Sequence, residues 1–361
     1  MRFGLDARLA LYDRGGLGRY IRCLASSLRR ECAPDATSVI CDFRDGGWNS
    51  NAHGVFGPVR SSWLDWIFML QTKILRLDLI HYPDHVIPRF PAGRCVVTVH
   101  DVSFWRMPET HSPISRAYYE GCREAVLRAD AVICVSDFTR DELLLHTDAM
   151  PEKVFTVPNG LDPAFVPASQ DAITRVKNKY GLSNRPFVLF VGTIGRRKNL
   201  VRLVDAFASS KLLEGFDLVL AGKWGDATVA VRGAIVRCGI VERVKLLGIT
   251  QEEDLPSLIS AAQILVMTSL YEGFGLPVLE AMGCGTLAVI SNRRPLVDVA
   301  GGAAIAVEPT DVASICKGLE QGIADDGLRN YAVQRGLQIA KSFDWQIAAR
   351  RTLDIYRRAA R

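Results

Sequence analysis

No apolar stretch of this 361-residue chain approaches the ~18 residues that a membrane-spanning helix needs. The opening MRFGLDARLALYD puts Asp6 and Arg8 where a secretory leader would be apolar, so secretion is not expected. The nine cysteines are odd in number and form no C-x-x-C, which argues against a disulfide framework and a structural zinc site. Free thiols in a reducing cytoplasm fit them better. A strict D-x-D is missing, and with it the obvious paired-carboxylate grip for a metal-bound diphosphate. So is G-x-x-x-x-G-K-[ST], which excludes a P-loop. Short repeats and low-complexity segments are absent too.

Charge is modest: 23% of residues are charged and the net charge is +5. Residues 341–361 carry Lys341, Arg350, Arg351, Arg357, Arg358 and Arg361 against Asp344 and Asp354, so most of the excess sits in the tail. A nucleic-acid binder would spread basic and aromatic residues over a face of the fold, so no nucleic-acid partner is expected. The tail reads as a solvated helix face or a weak contact with anionic lipid.

What the chain does have is alternation. Short β-branched runs (RFGLD, SVICDF, DLIHYP, CVVTVHD, AVICVS and VFTVPNG, then FVLFVGT, FDLVLAG, VKLLG, ILVMTS, LAVIS and AIAVEP) are separated by helical patterns such as Asn199–Ser209 and Glu253–Ala262. Runs apolar on both faces suit parallel strands covered by helices. The expected class is α/β, with two doubly wound, Rossmann-like domains. The proline-rich stretch PNGLDPAFVPASQD sets the boundary at about residue 166, giving domains 1–165 and 166–343. A last helix follows, capped by Asp344, with Trp345, Ala349, Thr352 and Tyr356 at helical spacing. It need not pack on its own domain.

Ligands of open α/β sheets sit beyond the carboxyl ends of the strands, so the residues after each strand are the candidates. Gly192 closes one strand, and Arg196, Arg197 and Lys198 then precede a helix start. Basic side chains beside free helix N–H groups make an anion site, and a solvated basic turn is the plain alternative. In SLYEGFGLPVLEAMGCGT, Gly273 and Gly275 permit close backbone approach and Pro277 suits a first helical turn. The N–H groups of Phe274, Gly275 and Leu276 would point out of that helix start, with Glu272 just outside it and Glu280 one turn in. Glu280 could bond vicinal hydroxyls, as an acid does with a ribose. His100 ends a strand and either meets a substrate or is satisfied by its neighbours. Gly15, Gly16 and Gly18 open a helix in a weak signal compatible with phosphate, sugar or a flexible lip. Ser136 reads as a helix cap. In Ser61–Leu75, Trp63, Ile67, Leu70 and Ile74 share a helical face, with Trp66 and Phe68 besides. Packing on the first sheet is favoured over membrane contact.

The ordered set GGLGRY, HDVSFWRMPE, VSDFTRDEL, VPNGLD, VGTIGRRKNL, AGKWG and YEGFGLPVLEAMGCG resembles the family-4 retaining glycosyltransferases of the GT-B fold, over nearly the whole chain. The last stretch holds the family's E-x7-E pattern, Glu272 to Glu280. The resemblance implies two domains facing across a cleft, an N-terminal acceptor domain, a C-terminal nucleotide-sugar domain, and a tail helix 344–361 crossing back to the first. Arg197 and Lys198 would neutralise the donor diphosphate and Glu280 would hold the ribose. Glu272, with the backbone at Phe274, Gly275 and Leu276, would hold the sugar, which His100 would also reach. Gly16 and its loop would close over the phosphates or admit the acceptor. Gly192 belongs to the donor loop, and the base would sit near Gly222 and Gly248–Thr250. No cofactor and no metal is expected. The family often continues after AVISN with serines and then Leu-Pro-Glu-Val; this chain instead has RRPLVDVAGG, where Arg293 and Arg294 could add positive charge.

The implied chemistry is transfer of a hexosyl group, with retention, by front-face attack on a donor whose diphosphate charge is neutralised. The look of the motifs is nearest to bacterial mannosyltransferases of surface-polysaccharide synthesis. That favours GDP-mannose as donor and a glycan or polyprenyl-diphosphate-linked acceptor, in the cytoplasm or at the cytoplasmic face of the inner membrane with weak peripheral contact. A UDP-sugar donor and a sugar-nucleotide epimerase on the same fold are the alternatives. A glycosidase using Glu272 and Glu280 would leave the Arg197–Lys198 anion site without a use. A non-catalytic nucleotide-sugar binder is the remaining class.

Overall fold

The computed structural model describes residues 2–7, 9–12, 15–32, 37–42, 52–55, 70, 73–74, 76–85, 87, 93–111 and 113–361. The amphipathic stretch Ser61–Leu75, with Trp63, Trp66, Ile67 and Phe68, lies outside these residues except for Leu70, Lys73 and Ile74. The chain divides into two compact units. One comprises residues 1–106, 113–160 and 344–361, the other residues 107–112 and 161–343.

The first unit is a seven-stranded sheet in the order β3-β2-β1-β4-β5-β6-β7. Its strands are β1 (Phe3–Asp6), β2 (Thr37–Asp42), β3 (Ala52–Val55), β4 (Leu79–Tyr82), β5 (Arg94–Val99), β6 (Ala131–Cys134) and β7 (Val154–Thr156). Every neighbouring pair is parallel. Six of the strands fall in stretches that the β-branched pattern marks. β3, with the sequence AHGV, does not, because it offers a single β-branched residue.

The second unit is a six-stranded parallel sheet in the order β10-β9-β8-β11-β12-β13. Its strands are β8 (Phe187–Val191), β9 (Asp217–Ala221), β10 (Val244–Gly248), β11 (Ile264–Met267), β12 (Leu287–Ser291) and β13 (Ala304–Val307). Alternate residues feed two apolar clusters. Val188, Phe190, Leu218, Leu220, Ile264 and Val266 join one; Phe187, Leu189, Val219, Ala221 and Leu265 join the other. A two-residue period with both faces apolar is why these strands read as unbroken hydrophobic runs.

In each sheet the chain winds outward from a first strand, returns beside it and winds the other way. The strand order reverses between β1 and β4 in the first unit and between β8 and β11 in the second. A crevice opens at such a point, at the carboxyl ends of the two strands.

The tail helix Trp345–Ala359 completes the first unit. Asp344 caps it by accepting from the Gln346 N–H at 2.6 Å. Trp345, Ala349, Thr352 and Tyr356 all lie on its buried face, which packs on the helix Gly16–Glu31. Burying each large apolar side chain there contributes about 1.5–3 kcal/mol. Gly160 has to be small: a Cβ on it would come within 2.4 Å of the Trp345 backbone nitrogen. No helix among the described residues is long and apolar enough to cross a membrane.

Candidate functional site

Two segments meet at the switch point of the second sheet. After β8 the chain makes a 3-10 turn, Arg196–Lys198, and enters the helix Leu200–Ser209. After β11 it passes through Ser269–Phe274 into the helix Leu276–Gly283, with Pro277 in its first turn. The Leu270 N–H donates to the Arg197 carbonyl at 2.8 Å and so ties the two segments together.

The side chains of these segments converge. Arg197 Nη1 donates to Glu272 Oε2 at 3.0 Å and to the Tyr271 carbonyl at 3.0 Å. Lys198 Nζ lies 2.5 Å from Glu272 Oε1. Glu272 is buried, and burial alone would raise its pKa. The charges of Lys198 and Arg197 outweigh that and hold the carboxyl at about 2. A buried carboxylate bonded to both cations fixes where their positive charge points. Removing one partner of such a buried pair typically costs about 3–5 kcal/mol.

The backbone around this trio is shaped by glycine. Gly222, at φ +149°, lies so close to the end of β8 that a Cβ on it would sit 1.9 Å from the Gly192 carbonyl oxygen. The Gly192 N–H donates to the Ala221 carbonyl at 2.9 Å, and the Gly222 N–H to the Gly248 carbonyl at 2.7 Å. Gly192, Gly222 and Gly248 therefore line up across the carboxyl ends of β8, β9 and β10, with half-buried Thr250 just beyond. Gly275, at φ +103°, caps the Leu276–Gly283 helix. It sets the first N–H groups of that helix, Leu276 among them, at the same end of the sheet as Arg197 and Lys198. Phe274 is buried edge-on against Phe343, with ring centroids 5.9 Å apart. Glu280 lies one turn into the helix and is 2% exposed. Fixed cations, helix N–H groups and closely approachable backbone make a receptor for a phosphorylated ligand.

Asn199 was not among the residues the sequence singled out for the site. It adopts the left-handed region at φ 62°, and its buried Nδ2 donates to the carbonyls of Thr268 at 3.1 Å and Pro309 at 2.6 Å. It thereby fixes the basic turn to the ends of β11 and β13. Asparagine tolerates that conformation better than most residues, so an Asn directly after R-R-K was the available signal. The expected extra charge at Arg293 and Arg294 is met locally: Arg293 pairs with Glu308 at 2.8 Å and Arg294 with Asp298 at 2.6 Å.

In the first unit His100 ends β5. Its Nε2 lies 2.8 Å from the Pro83 carbonyl, to which it must donate. Burial lowers its pKa, so the ring is neutral and Nδ1 is left as an acceptor. The Tyr20 ring stands edge-on to it at 4.7 Å. Beyond β4, at the switch point, Asp84 and His85 form a pair the sequence reading overlooked. His85 Nδ1 is 2.6 Å from Asp84 Oδ1, and Tyr118 also donates to Asp84. Burial would raise the Asp84 carboxyl, but His85 and Tyr118 hold it at about 2. Gly16 is exposed at the start of the Gly16–Glu31 helix. Ser136 is a cap, accepting from the Thr139 N–H at 3.0 Å. Among the described residues no group of three or more His, Cys, Asp and Glu side chains could hold a metal ion.

Residues 172–338 match the family described as Glycosyl transferases group 1. Residues 14–165 match Glycosyltransferase Family 4. The O-antigen chain mannosyltransferase B of Escherichia coli is 34% identical over 286 residues, 77% of this chain and 74% of that protein. The alpha-maltose-1-phosphate synthase of Mycobacterium tuberculosis (strain ATCC 25618 / H37Rv) is 32% identical over 377 residues, covering 95% of each chain. Among solved structures, Anabaena Alr3699/HepE in complex with UDP-glucose superposes with a TM-score of 0.81 at 20% identity, covering 99% of each chain. That last likeness is one of fold, the two-domain GT-B fold.

Proposed function

The chain belongs to the group 1 and family-4 glycosyltransferases, and from that premise we propose that its second unit holds a nucleotide-diphosphate hexose whose sugar is passed, with retention, to a glycan acceptor served by the first unit. The observation that carries this reading is the convergence of Arg197, Lys198 and Glu272 at the switch point of the second sheet. The diphosphate gains negative charge as the glycosidic bond breaks. Preorganised cations and helix N–H groups at that place stabilise the departing charge without reorganising. A neutralised phosphate oxygen can then take the proton of the attacking hydroxyl, so no side-chain nucleophile is required.

We assign Arg197 and Lys198 to the diphosphate, together with the backbone at Gly16, Gly192, Phe274, Gly275 and Leu276. Glu280 takes the ribose, and Gly222, Gly248 and Thr250 line the base. Glu272 and His100 take the sugar, Glu272 as hydrogen-bond acceptor and His100 through Nδ1. Glu272 and Glu280 thus form a donor clamp and not a hydrolytic pair.

For the donor we place a UDP-hexose first. A relative matched over 95% of both chains is an alpha-maltose-1-phosphate synthase, which favours a glucosyl group, and the nucleotide is taken from a protein of the same fold in complex with UDP-glucose. GDP-mannose is the second reading, favoured by the O-antigen mannosyltransferase. That relative also supports a saccharide acceptor of the O-antigen kind; we extend the proposal to a polyprenyl-diphosphate-linked saccharide at the inner face of the membrane.

Thermal shift with UDP, GDP, ADP, dTDP and their common sugars, in EDTA, tests both levels. Selective stabilisation by UDP and UDP-glucose is expected. Selective stabilisation by GDP and GDP-mannose would reverse the donor order, and no shift with any of them would overturn the assignment of Arg197, Lys198 and Glu280.

A further inference from the structure

We infer that Tyr20 is a positioning residue for His100, held in place through Thr98 and His81 by Tyr356 of the tail helix. This rests on the reading of His100 given above. The Tyr20 hydroxyl lies 3.0 Å from Thr98 Oγ1, that oxygen lies 2.7 Å from His81 Nε2, and His81 Nδ1 lies 2.6 Å from the Tyr356 hydroxyl. His81, Thr98 and Tyr356 are fully buried and Tyr20 is 3% exposed. Burial lowers the His81 pKa to about 3, so its ring is neutral, with one donor and one acceptor nitrogen.

The His81 tautomer sets the order of its two bonds. Either Thr98 donates to Nε2 and Nδ1 donates to Tyr356, with Tyr20 then donating to Thr98, or Nε2 donates to Thr98 and Tyr356 to Nδ1, with the bond between Tyr20 and Thr98 open to either direction. Removing the Tyr356 hydroxyl leaves His81 Nδ1 without that partner, removing the Thr98 hydroxyl does so to both Tyr20 and His81 Nε2, and removing the Tyr20 hydroxyl leaves Thr98 with His81 alone.

The far end of the chain bears on His100. The Tyr20 ring meets the His100 imidazole at 4.7 Å and 87°, and its other neighbour is Trp345, 5.6 Å away in the first turn of the tail helix. The tail thus braces Tyr20 twice, by a ring at one end and through the polar chain from the other. His100 is held by Pro83 at Nε2 and by Tyr20 across its ring, which fixes the direction of the Nδ1 lone pair. Tyr20 also sits in the first turns of the helix that opens at Gly16, so the glycine-rich loop and His100 share one support.

The test uses Tyr356→Phe, Thr98→Val and Tyr20→Phe in the full chain. Nucleotide release from UDP-glucose and from GDP-mannose, with glucose and methyl mannoside offered as saccharide acceptors and water taking the sugar in their absence, is followed well below each variant's melting temperature. We expect kcat to fall about tenfold in each, as for a small misplacement of a reacting group, while KM and the Kd for the nucleotide diphosphate stay unchanged. Leu143→Ala serves as control. It removes a fully buried side chain from the helix Asp137–His146, outside the polar chain, and should lower the melting temperature without lowering kcat. The inference is overturned if the three variants keep wild-type kcat per folded molecule, or if Leu143→Ala loses as much. Should Thr98→Val not fold, Tyr20→Phe carries the test, because it keeps both ring contacts and loses only the hydroxyl. His100→Ala separates the two levels: full activity there overturns the role of His100 itself, whereas loss there with intact Tyr20→Phe and Tyr356→Phe overturns only the bracing. Release from neither donor by the wild type overturns both.

Discussion

At the carboxyl ends of β8, β9 and β10 the second unit presents glycine backbone and two cations clamped on a buried acid. At the carboxyl ends of β4 and β5 the first unit presents Asp84, His85 and His100, with a neutral His81 in the strand beneath. The two sheets share their winding and their parallel register, so the difference lies in what the strand ends carry. One set of ends is made for charge, where backbone must come close and positive groups must not move. The other sets one carboxylate, Asp84, bonded to His85 and Tyr118, beside His81 and His100, which burial keeps uncharged. A shared fold leaves the chemistry to the residues just past each strand.

The largest effect should come from the charged ends. Lys198→Ala is expected to lower kcat/KM by about 10²–10³-fold, the scale of losing one preorganised group from a developing negative charge. His100→Ala should cost less, since it removes a neutral hydrogen bond. Steady-state rates for the two variants settle the ranking, and a greater loss at His100 would erase the contrast.

Next comes the glycine backbone. Gly222→Ala places a Cβ against the Gly192 carbonyl in a conformation that alanine rarely adopts. It should destabilise the second unit by ~3 kcal/mol, or on the order of 6–12 °C in melting temperature for a domain of this size. Gly233→Ala, in the helix Thr228–Arg237 with open space around it, should be neutral or slightly stabilising. Equal melting temperatures for the two variants would mean that the strand-end glycines are not packed as described.

The smallest effect is in acid, and it separates the units by pH. His81 is lowered from 6.5 to about 3. The unfolded chain therefore takes up a proton that the fold refuses, and this contribution is complete above pH ~6.5 and lost as pH falls toward 3. Glu272 is lowered from 4.5 to about 2, so its contribution holds above pH ~4.5 and is lost below it. Each group gives a slope of at most ~1.4 kcal/mol per pH unit within its window. Hydrogen exchange between pH 7 and 4.5 should show β4 and β5 losing protection before β8 and β11. The reverse order would contradict the neutral state of His81.

The second unit was the more legible half. Its site is local in sequence: R-R-K after a strand, and E-G-F-G-L-P before a helix, are short stretches whose residue types already state their chemistry. What they did not reveal was the bond from Glu272 back to Arg197 and Lys198, across more than seventy residues. In the first unit β3 escaped notice because AHGV carries little strand propensity. The Asp84–His85 pair escaped because a P-D-H after a strand looks like any turn. The polar chain from Tyr20 to Tyr356 was out of reach, since each residue reads alone as ordinary core. The tail helix was readable as amphipathic, but the partner of its tyrosine was not.

The contact between His81 and Tyr356 spans 275 positions of the chain, and all of the second unit is synthesised between them. During synthesis the sheet of the first unit must wait, with a histidine lacking its last partner, while an entire second sheet is made and folds. So long a closure is slow by its nature. The unit begun first is finished last, and until residues 344–361 emerge it is the half most exposed to misassembly and proteolysis.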